Sequence, residues 1–403
     1  MTGGTATAAL REALEEALPE RPFRIELWDG TALPSADGGP TFTLRSPEAL
    51  GQVLRAPGEL GVGRAYVTGA LEIDSVDAVL ELLDGWSPPP IDLRSRARIV
   101  AAAVRAGALR SVPRVPDAEL RPRGRRHSVA RDRRSVRHHY DVSNAFFALV
   151  LGASMTYSCA IFSRGAKTLE EAQEVKLELV CSKLGLEPGM RLLDVGCGWG
   201  SFAVHAAARH DVHVTGITLS EPQAQRAREW AREAGVADRV DIRVQDYREL
   251  PGESFDRVAS IGMVEHVGAV NIDAYAQQLA GVLRPGGVLL NHGIARLRLG
   301  DAEAGAFSER FVFPDAAPLH LSRVQAAIER TGLRTDHVEG FAPDYAETLR
   351  HWARRLDERL EEATRLAGSE RVRVWRLYLR AARRGFETGF TSVYQVRALK
   401  PDR

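Results

Sequence analysis

At 403 residues, 44% of them hydrophobic, the chain can bury a large core, and its length favours two domains over one. Its 54 basic and 53 acidic residues leave a formal charge of +1, so total charge gives no reason to expect a nucleic-acid partner. The cysteines Cys159, Cys181 and Cys197 form neither CxxC pairs nor a His/Cys set at zinc spacing, which argues for a reducing, intracellular compartment and against a metal site.

The first residues, MTGGTATAALREALEE, lack the basic and apolar regions of a signal peptide, and no apolar run is long enough to span a bilayer. A soluble or peripheral cytoplasmic protein is expected. Residues 7–17 read as a helix, FRIELWDG and PTFTLRS as strand pieces, and GRAYVTGALEID as a hairpin. Together, 1–90 form a small α+β domain, closed by the proline run at 87–90. In the basic segment that follows, 14 arginines stand against Asp117, Glu119 and Asp132 between positions 94 and 137. Within it RSRARIVAAAVRAGALR reads as a helix with Arg94, Arg98 and Arg105 near one face and Ile99, Val100 and Ala103 turned elsewhere. It is either a basic amphipathic helix suited to an anionic membrane surface or a solvated linker over 91–137. Pro113, Pro116 and Pro122 argue against one continuous helix to Arg137.

From 168 onward a helix over 168–184 leads into RLLDV, and strands HVTGIT, VDIRVQ, FDRVASI and VLLNHG follow, separated by helices at 201–210, 221–234 and 273–283. This alternation specifies an α/β, doubly wound parallel sheet. Asp194-Val195-Gly196-Cys197-Gly198-Trp199-Gly200 ends the first strand and opens a helix, where glycines allow a tight turn and close approach to a ligand. The GxGxxG-plus-acid pattern of a dinucleotide site is absent, because the next strand ends in Thr218-Leu219-Ser220. Gln245-Asp246-Tyr247 instead supplies an acid and an aromatic suited to adenine. With FDRV and LRPGG at the spacing of later strands, the turn fits a class I methyltransferase that uses S-adenosylmethionine.

Several ordered motifs narrow the chemistry. HHYDVSNAFFALVLGASMTYSCAIF at 138–162, LLDVGCGWGSFA, GITLSEPQ, SIGMVEHVG, LLNHGI, DYAETLRHW and the tail VWRLYLRAARRGFETGFTSVYQV resemble, in form and order, the cyclopropane-fatty-acyl-phospholipid synthase family across 135–400. The resemblance implies methyl transfer from S-adenosylmethionine to a double bond of an unsaturated phospholipid acyl chain, through a carbocation. Proximity in a dry pocket compensates for the alkene's poor nucleophilicity. A bound bicarbonate then serves as base. Its site is carried over to Cys159, Glu265, His292 and Tyr345, with the backbone of Ile294. Taken singly, Cys159 reads as a buried small hydrophobe, Glu265 beside His266 as a capping pair, His292 as a core histidine and Tyr345 as helix support. For the cofactor, the resemblance assigns Tyr157 and Ser158 to a lid, Gly196 and Gly198 to the methionine side, Thr218, Leu219 and Gln223 to the ribose, and Tyr247 with Ile261 to the adenine pocket. Tyr247 replaces the tryptophan common in the family, which keeps an aromatic surface.

One segment departs from the pattern. Where the family reads FPGG, this chain has Phe313-Pro314-Asp315-Ala316-Ala317-Pro318-Leu319, near the expected acyl-chain entrance. The motifs serve both possible outcomes: ring closure to a cyclopropane, or hydride shift and loss of another proton to give a mid-chain methylene of the 10-methylene type. The arginine-rich composition, with four lysines, fits the high-GC actinobacteria in which the methylene branch occurs beside a partner reductase. The resemblance also implies a lipid-handling N-terminal domain and a homo-oligomer. A methyltransferase for a soluble small molecule and a catalytically silent lipid-binding scaffold remain the rival classes.

Overall fold

The computed structural model describes residues 3–35, 38–110, 112–121, 124–140, 143–250, 252–300 and 305–402, of which 3–5, 130 and 136–140 are described by their backbone alone. Pro122, and Asp141 and Val142 of the HYD motif, lie outside the described residues. The chain divides into two compact units.

The first unit is built from Met1–Leu120, Gly305–Val312 and Gly368–Ala381, so it is neither contiguous nor closed by the prolines at 87–90. A four-stranded sheet runs in the order β2-β1-β3-β4, with β1 at Arg24–Glu26, β2 at Ala32–Leu33, β3 at Thr41–Leu44 and β4 at Leu71–Ile73. Its core joins Leu10, Phe23, Ile25 and Leu33 to Ala102 and Ala103 of the helix Leu93–Arg105. The basic helix therefore belongs to this unit because its alanine face completes the core, while Leu93, Val100 and Val104 remain exposed. The expected hairpin at GRAYVTGALEID is instead the end of a helix, Glu59–Val67, followed by β4. Of its two glycines, Gly69, with φ of 77°, makes the turn into β4, whereas Gly63 marks packing: a Cβ there would sit 2.4 Å from the Phe307 ring. Several arginines of the basic stretch also have fixed partners, Arg98 with Glu16 and Arg114 with Asp117 and Glu370.

The second unit comprises Arg121–Ala304, Phe313–Ala367 and Ala382–Arg403. Its seven strands are β5 (Arg191–Val195), β6 (His213–Thr218), β7 (Val240–Val244), β8 (Phe255–Ile261), β9 (Leu283–Arg296), β10 (Arg334–Gly340) and β11 (Thr391–Leu399), ordered β10-β11-β9-β8-β5-β6-β7. All run parallel except β11, which inserts antiparallel between β9 and β10. The five strands read from the sequence, β5 to β9, are mutually parallel; β11, reached only after the helices Ala342–Glu358, Leu360–Ala367 and Ser369–Glu387, adds the antiparallel strand. Alternate residues serve two cores, Leu193, Val195 and Val258 on one face and Leu192, Val214 and Ala259 on the other, as expected for a sheet covered on both sides. From β5 the chain winds outward through β6 and β7, then returns to place β8 on the opposite side of β5. That reversal opens a crevice at the strand C-termini where α/β sheets bind ligands.

Candidate active site

The glycine turn shapes the crevice floor. Gly196 and Gly198 have φ of 78° and 54°, a region that side chains disfavour, and the N–H groups of Gly196 and Cys197 donate to Ile217 O at 3.0 and 2.9 Å. The helix Ser201–His210 starts immediately afterwards. Above the turn lies a cleft enclosing about 770 Å³, its open mouth included, walled by Thr218, Leu219, Gln223, Asp246, Tyr247 and Met263. An adjoining recess is walled by Tyr157, Ser158, Lys176, Asp194, Trp199 and Ile261, and both spaces share Gly196, Gly198, Gln223 and Gly262. The predicted ribose, adenine and lid residues thus line one continuous site. Ile261, at the C-terminal end of β8, lines the recess with Tyr157 and Ser158, whereas Tyr247 lines the cleft.

The cleft wall is wired internally. The Thr218 hydroxyl donates to Gln223 Oε1 at 2.7 Å in a buried bond, fixing that amide. Asp246 is 1% exposed and caps the short turn Tyr247–Glu249. The Arg248 guanidinium donates to its Oδ1 at 2.8 Å and Oδ2 at 2.7 Å, and also to Asp132 at 2.9 Å. Burial raises the Asp246 carboxyl, but the bonds from Arg248 outweigh it and hold the group below its ordinary range. The Asp246 carboxylate, read from the sequence as suited to adenine, is engaged on both oxygens by Arg248. Arg248 and Asp132 are cleft residues that sequence reasoning missed; the Asp-Tyr-Arg run was the available signal. Tyr247 packs edge-on against Tyr275 with centroids 5.4 Å apart, and burial pushes its hydroxyl up to about 12.

A second corner is left electrostatically open. Glu265, in the short helix Val264–Val267, accepts the Ile294 N–H at 2.7 Å on Oε1, whereas Oε2 has no partner among the described residues. Burial raises this carboxyl to about 7. His292 lies two residues before Ile294 on β9, hence on the same face of the sheet. Its tautomer follows from the neighbours. Lys183 Nζ can only donate, and it meets Gln395 Oε1 at 2.6 Å, so the Gln395 amide nitrogen must be the atom 3.1 Å from His292 Nδ1. Nδ1 then accepts and the proton resides on Nε2, which has no partner among the described residues. Burial, reinforced by Lys176 and Lys183, depresses the imidazole to about 3 and keeps it neutral. One buried acceptor and one buried donor are thus both unsatisfied, a costly arrangement unless a ligand completes it. Each atom by itself has the chemistry to meet a small oxyanion bearing one proton: Oε2 can accept from its hydroxyl and Nε2 can donate to its charged oxygen.

Cys159 and Tyr345 form a separate pair through one carbonyl. The Tyr345 N–H donates to Phe341 O at 3.0 Å, and the Cys159 thiol reaches the same oxygen at 3.7 Å. Burial, with Asp344 adding to it, drives the thiol well above its ordinary range, so it acts as a donor and not as a thiolate. Tyr345 stands in the helix Ala342–Glu358, its ring 4.7 Å from that of Phe386. Between the cofactor recess and the predicted anion residues lies Lys176, 1% exposed, an electrostatic neighbour of Asp194, Cys159 and His292. Burial lowers its ammonium to about 8 and raises Asp194 to about 7. Asp194 Oδ2 is likewise without a partner among the described residues. Lys176 was legible as an exception: it sits on the apolar face of Leu169–Leu184 with Gln173, Leu177, Val180 and Leu184.

The departing loop is anchored at Asp315. Its φ is 65°, the left-handed conformation that glycine adopts readily, which explains how a family Gly-Gly step is accommodated. Its buried carboxylate accepts from Arg126 at 3.0 Å and from Arg131 at 2.5 and 2.6 Å. Two residues on, the Ala317 N–H donates to Glu265 O at 2.8 Å, tying the loop to the anion corner.

Comparison with known proteins agrees with this geometry. The family model described as mycolic acid cyclopropane synthetase matches residues 127–396. A probable fatty acid methyltransferase of Mycobacterium tuberculosis is 40% identical over 99% of this chain and 96% of its own length. The cyclopropane-fatty-acyl-phospholipid synthase of Escherichia coli is 31% identical over 88% and 86%. Among solved structures, the mycolic acid cyclopropane synthase CmaA1 complexed with SAH and CTAB superposes with a TM-score of 0.63 at 32% identity, covering 66% of this chain and 98% of that one. The chain belongs to the mycolic acid cyclopropane synthetase family, and so to the S-adenosylmethionine-dependent methyltransferases that modify fatty-acyl chains.

Proposed function

We propose that the protein methylates the double bond of an unsaturated phospholipid acyl chain and releases a mid-chain methylene-branched product. The unsatisfied pair of Glu265 Oε2 and His292 Nε2 carries this reading, because a cofactor-binding methyltransferase with an activated substrate has no need of a buried oxyanion site. S-adenosylmethionine supplies an electrophilic methyl group, whose bond to sulfur breaks as the alkene π pair forms the new C–C bond. A bicarbonate held at the corner supplies the base. Glu265 Oε2 would accept a hydrogen bond from the oxyanion's O–H and His292 Nε2 would donate to one of its other oxygens, while the Ile294 N–H keeps the Glu265 carboxylate aimed. The substrate cation is relieved by a 1,2-hydride shift onto the neighbouring carbon and loss of a proton from the added methyl, leaving an exocyclic C=CH₂. Loss of that proton without the shift closes a cyclopropane instead. The probable fatty acid methyltransferase is 40% identical, against 31% and 36% for two cyclopropane synthases, and this modest difference supports the first outcome.

We further propose peripheral association with an anionic membrane. Leu93, Val100 and Val104 are exposed along the helix Leu93–Arg105 beside exposed Arg94, Arg96 and Arg105, which suits an interfacial helix. No helix among the described residues is long and apolar enough to cross a membrane. A separate reductase would be needed to convert methylene to methyl.

The test is mass spectrometry of phospholipids from a host that expresses the full chain and has no such activity of its own. A gain of one CH₂ on monounsaturated chains, with ozonolysis cleaving the product at the branch carbon, is expected. An ozone-resistant product would replace methylene formation with ring closure. Unmodified lipids with an active, cofactor-binding protein would reject the lipid substrate and favour a soluble one.

A further inference from the structure

Outside the cofactor site, two helices bring together side chains that the sequence keeps far apart. The helix Leu169–Leu184 carries Glu178 and Cys181 three residues apart on one face, and the helix Ser201–His210 carries His205 and His210. Their ligand atoms, a carboxylate oxygen, a thiol sulfur and two imidazole nitrogens, all lie within 4.8 Å of one another. Both Nε2 atoms converge on the Glu178 carboxylate at 3.2 Å. In a tetrahedral zinc site, bonds of about 2.0–2.3 Å separate the ligand atoms by roughly 3.3–3.8 Å. The two imidazole–carboxylate separations of 3.2 Å fall just short of those edges, and the remaining separations, none above 4.8 Å, close on a modest contraction around an ion.

We propose that Glu178, Cys181, His205 and His210 form a zinc site that locks the helix following the glycine turn to the helix preceding β5. Two imidazoles and a thiol exclude calcium and magnesium, which take oxygen ligands, and select a borderline first-row metal. Four protein ligands with no vacant position define a structural site, not a catalytic one. Binding transfers the Cys181 thiol proton to solvent, leaving a thiolate on the metal. Cys181 is buried while His205, His210 and Glu178 are progressively nearer solvent, so an ion can enter from the Glu178 side. No zinc pattern stands out along the chain because the ligands pair across two helices with β5 and the glycine turn between them, instead of within one short motif. Without a metal the same side chains make two hydrogen bonds to Glu178, and the thiol takes no part.

The experiment uses the untagged full chain, equilibrated with zinc in a chelator-buffered solution, washed and analysed for metal by mass spectrometry. About one zinc per chain is expected for a single four-ligand site. C181S and H210Q should each retain well under half of that, and zinc should raise the melting temperature of the wild type but of neither variant. With cobalt in place of zinc, a near-ultraviolet thiolate-to-metal absorption should appear in the wild type and vanish in C181S. H210Q changes a partly exposed residue, so it remains informative if C181S does not fold. Substoichiometric zinc in a folded wild type, or variants that retain as much zinc as the wild type, would overturn the proposal. Zinc binding without the thiolate absorption would also overturn it, since Cys181 would then not be a ligand.

Discussion

The adenine wall of the cleft and the Glu265 corner lie in the same unit and are made of the same kinds of residue, yet they are finished differently. In the wall, Thr218 is held by Gln223 and Asp246 by Arg248. In the corner, Glu265 and His292 each keep one buried polar atom without a partner among the described residues. The difference separates two tasks. A wall that holds a large cofactor gains from being rigid before the ligand arrives, whereas the corner proposed to take and release a small oxyanion keeps its donor and acceptor open.

If this division is right, neutralising the corner should damage turnover far more than binding. E265Q keeps the size of the side chain and an oxygen for the Ile294 N–H but offers the oxyanion no negative acceptor. Steady-state turnover is expected to fall about a thousandfold, at the upper end for loss of one electrostatic contact at the reacting centre. Cofactor affinity measured by calorimetry should stay nearly unchanged. Activity within a few fold of wild type would remove Glu265 from the oxyanion site.

The same substitution should have the opposite effect on stability, with a sign set by pH. Burial raises the folded-state carboxyl to about 7 from an ordinary 4.5, so the fold favours its protonated form. Stability from this group is complete below pH 4.5 and is lost as pH rises through about 7. Two to three pKa units correspond to about 3 kcal/mol. By denaturant titration without added bicarbonate, E265Q should therefore exceed the wild type by about 3 kcal/mol at pH 8.5, and the gap should close toward pH 4.5. A pH-independent difference would mean that the carboxylate has a partner in the fold.

The wall was more legible in the sequence than the corner, for a physical reason. Gly196 and Gly198 announce themselves because a positive φ at a strand–helix junction strongly restricts side chains, and Tyr247 because an aromatic after a strand end has few other duties. Glu265 and His292 carry no local signature: their meaning comes from Ile294, Gln395 and Lys183, which lie on other segments, and was reached only through family resemblance. Likewise, Arg248 could be seen in the chain, but not its grip on Asp246. Gly63 misled, since a glycine required by the Phe307 ring looks like one required by a turn. The two segments that complete the first unit were invisible to any reading that follows the chain in order.

For the wall, the expected effect is smaller and of the other kind. R248A leaves Asp246 almost fully buried with its main partner gone, a loss of about 1–2 kcal/mol in shaping the cleft. Cofactor affinity should weaken roughly tenfold while turnover at saturating cofactor stays close to wild type. A large drop in turnover at unchanged affinity would erase the distinction between wall and corner.

The mildest test concerns Asp315, where the loop that braces Glu265 departs from a glycine pattern. Two terms oppose each other there. The left-handed backbone costs a residue with a Cβ about 1 kcal/mol, and the bonds from Arg126 and Arg131 offset it. D315A loses the bonds and keeps the backbone cost, while D315G loses the bonds and relieves that cost in the folded state. Glycine's greater freedom in the unfolded chain returns part of the gain, so D315G should be the more stable variant by only about 0.5–1 kcal/mol in denaturant titration. Equal stabilities would assign the whole effect to the two arginines, and a more stable D315A would show that the loop relaxes out of the left-handed conformation once its carboxylate is gone.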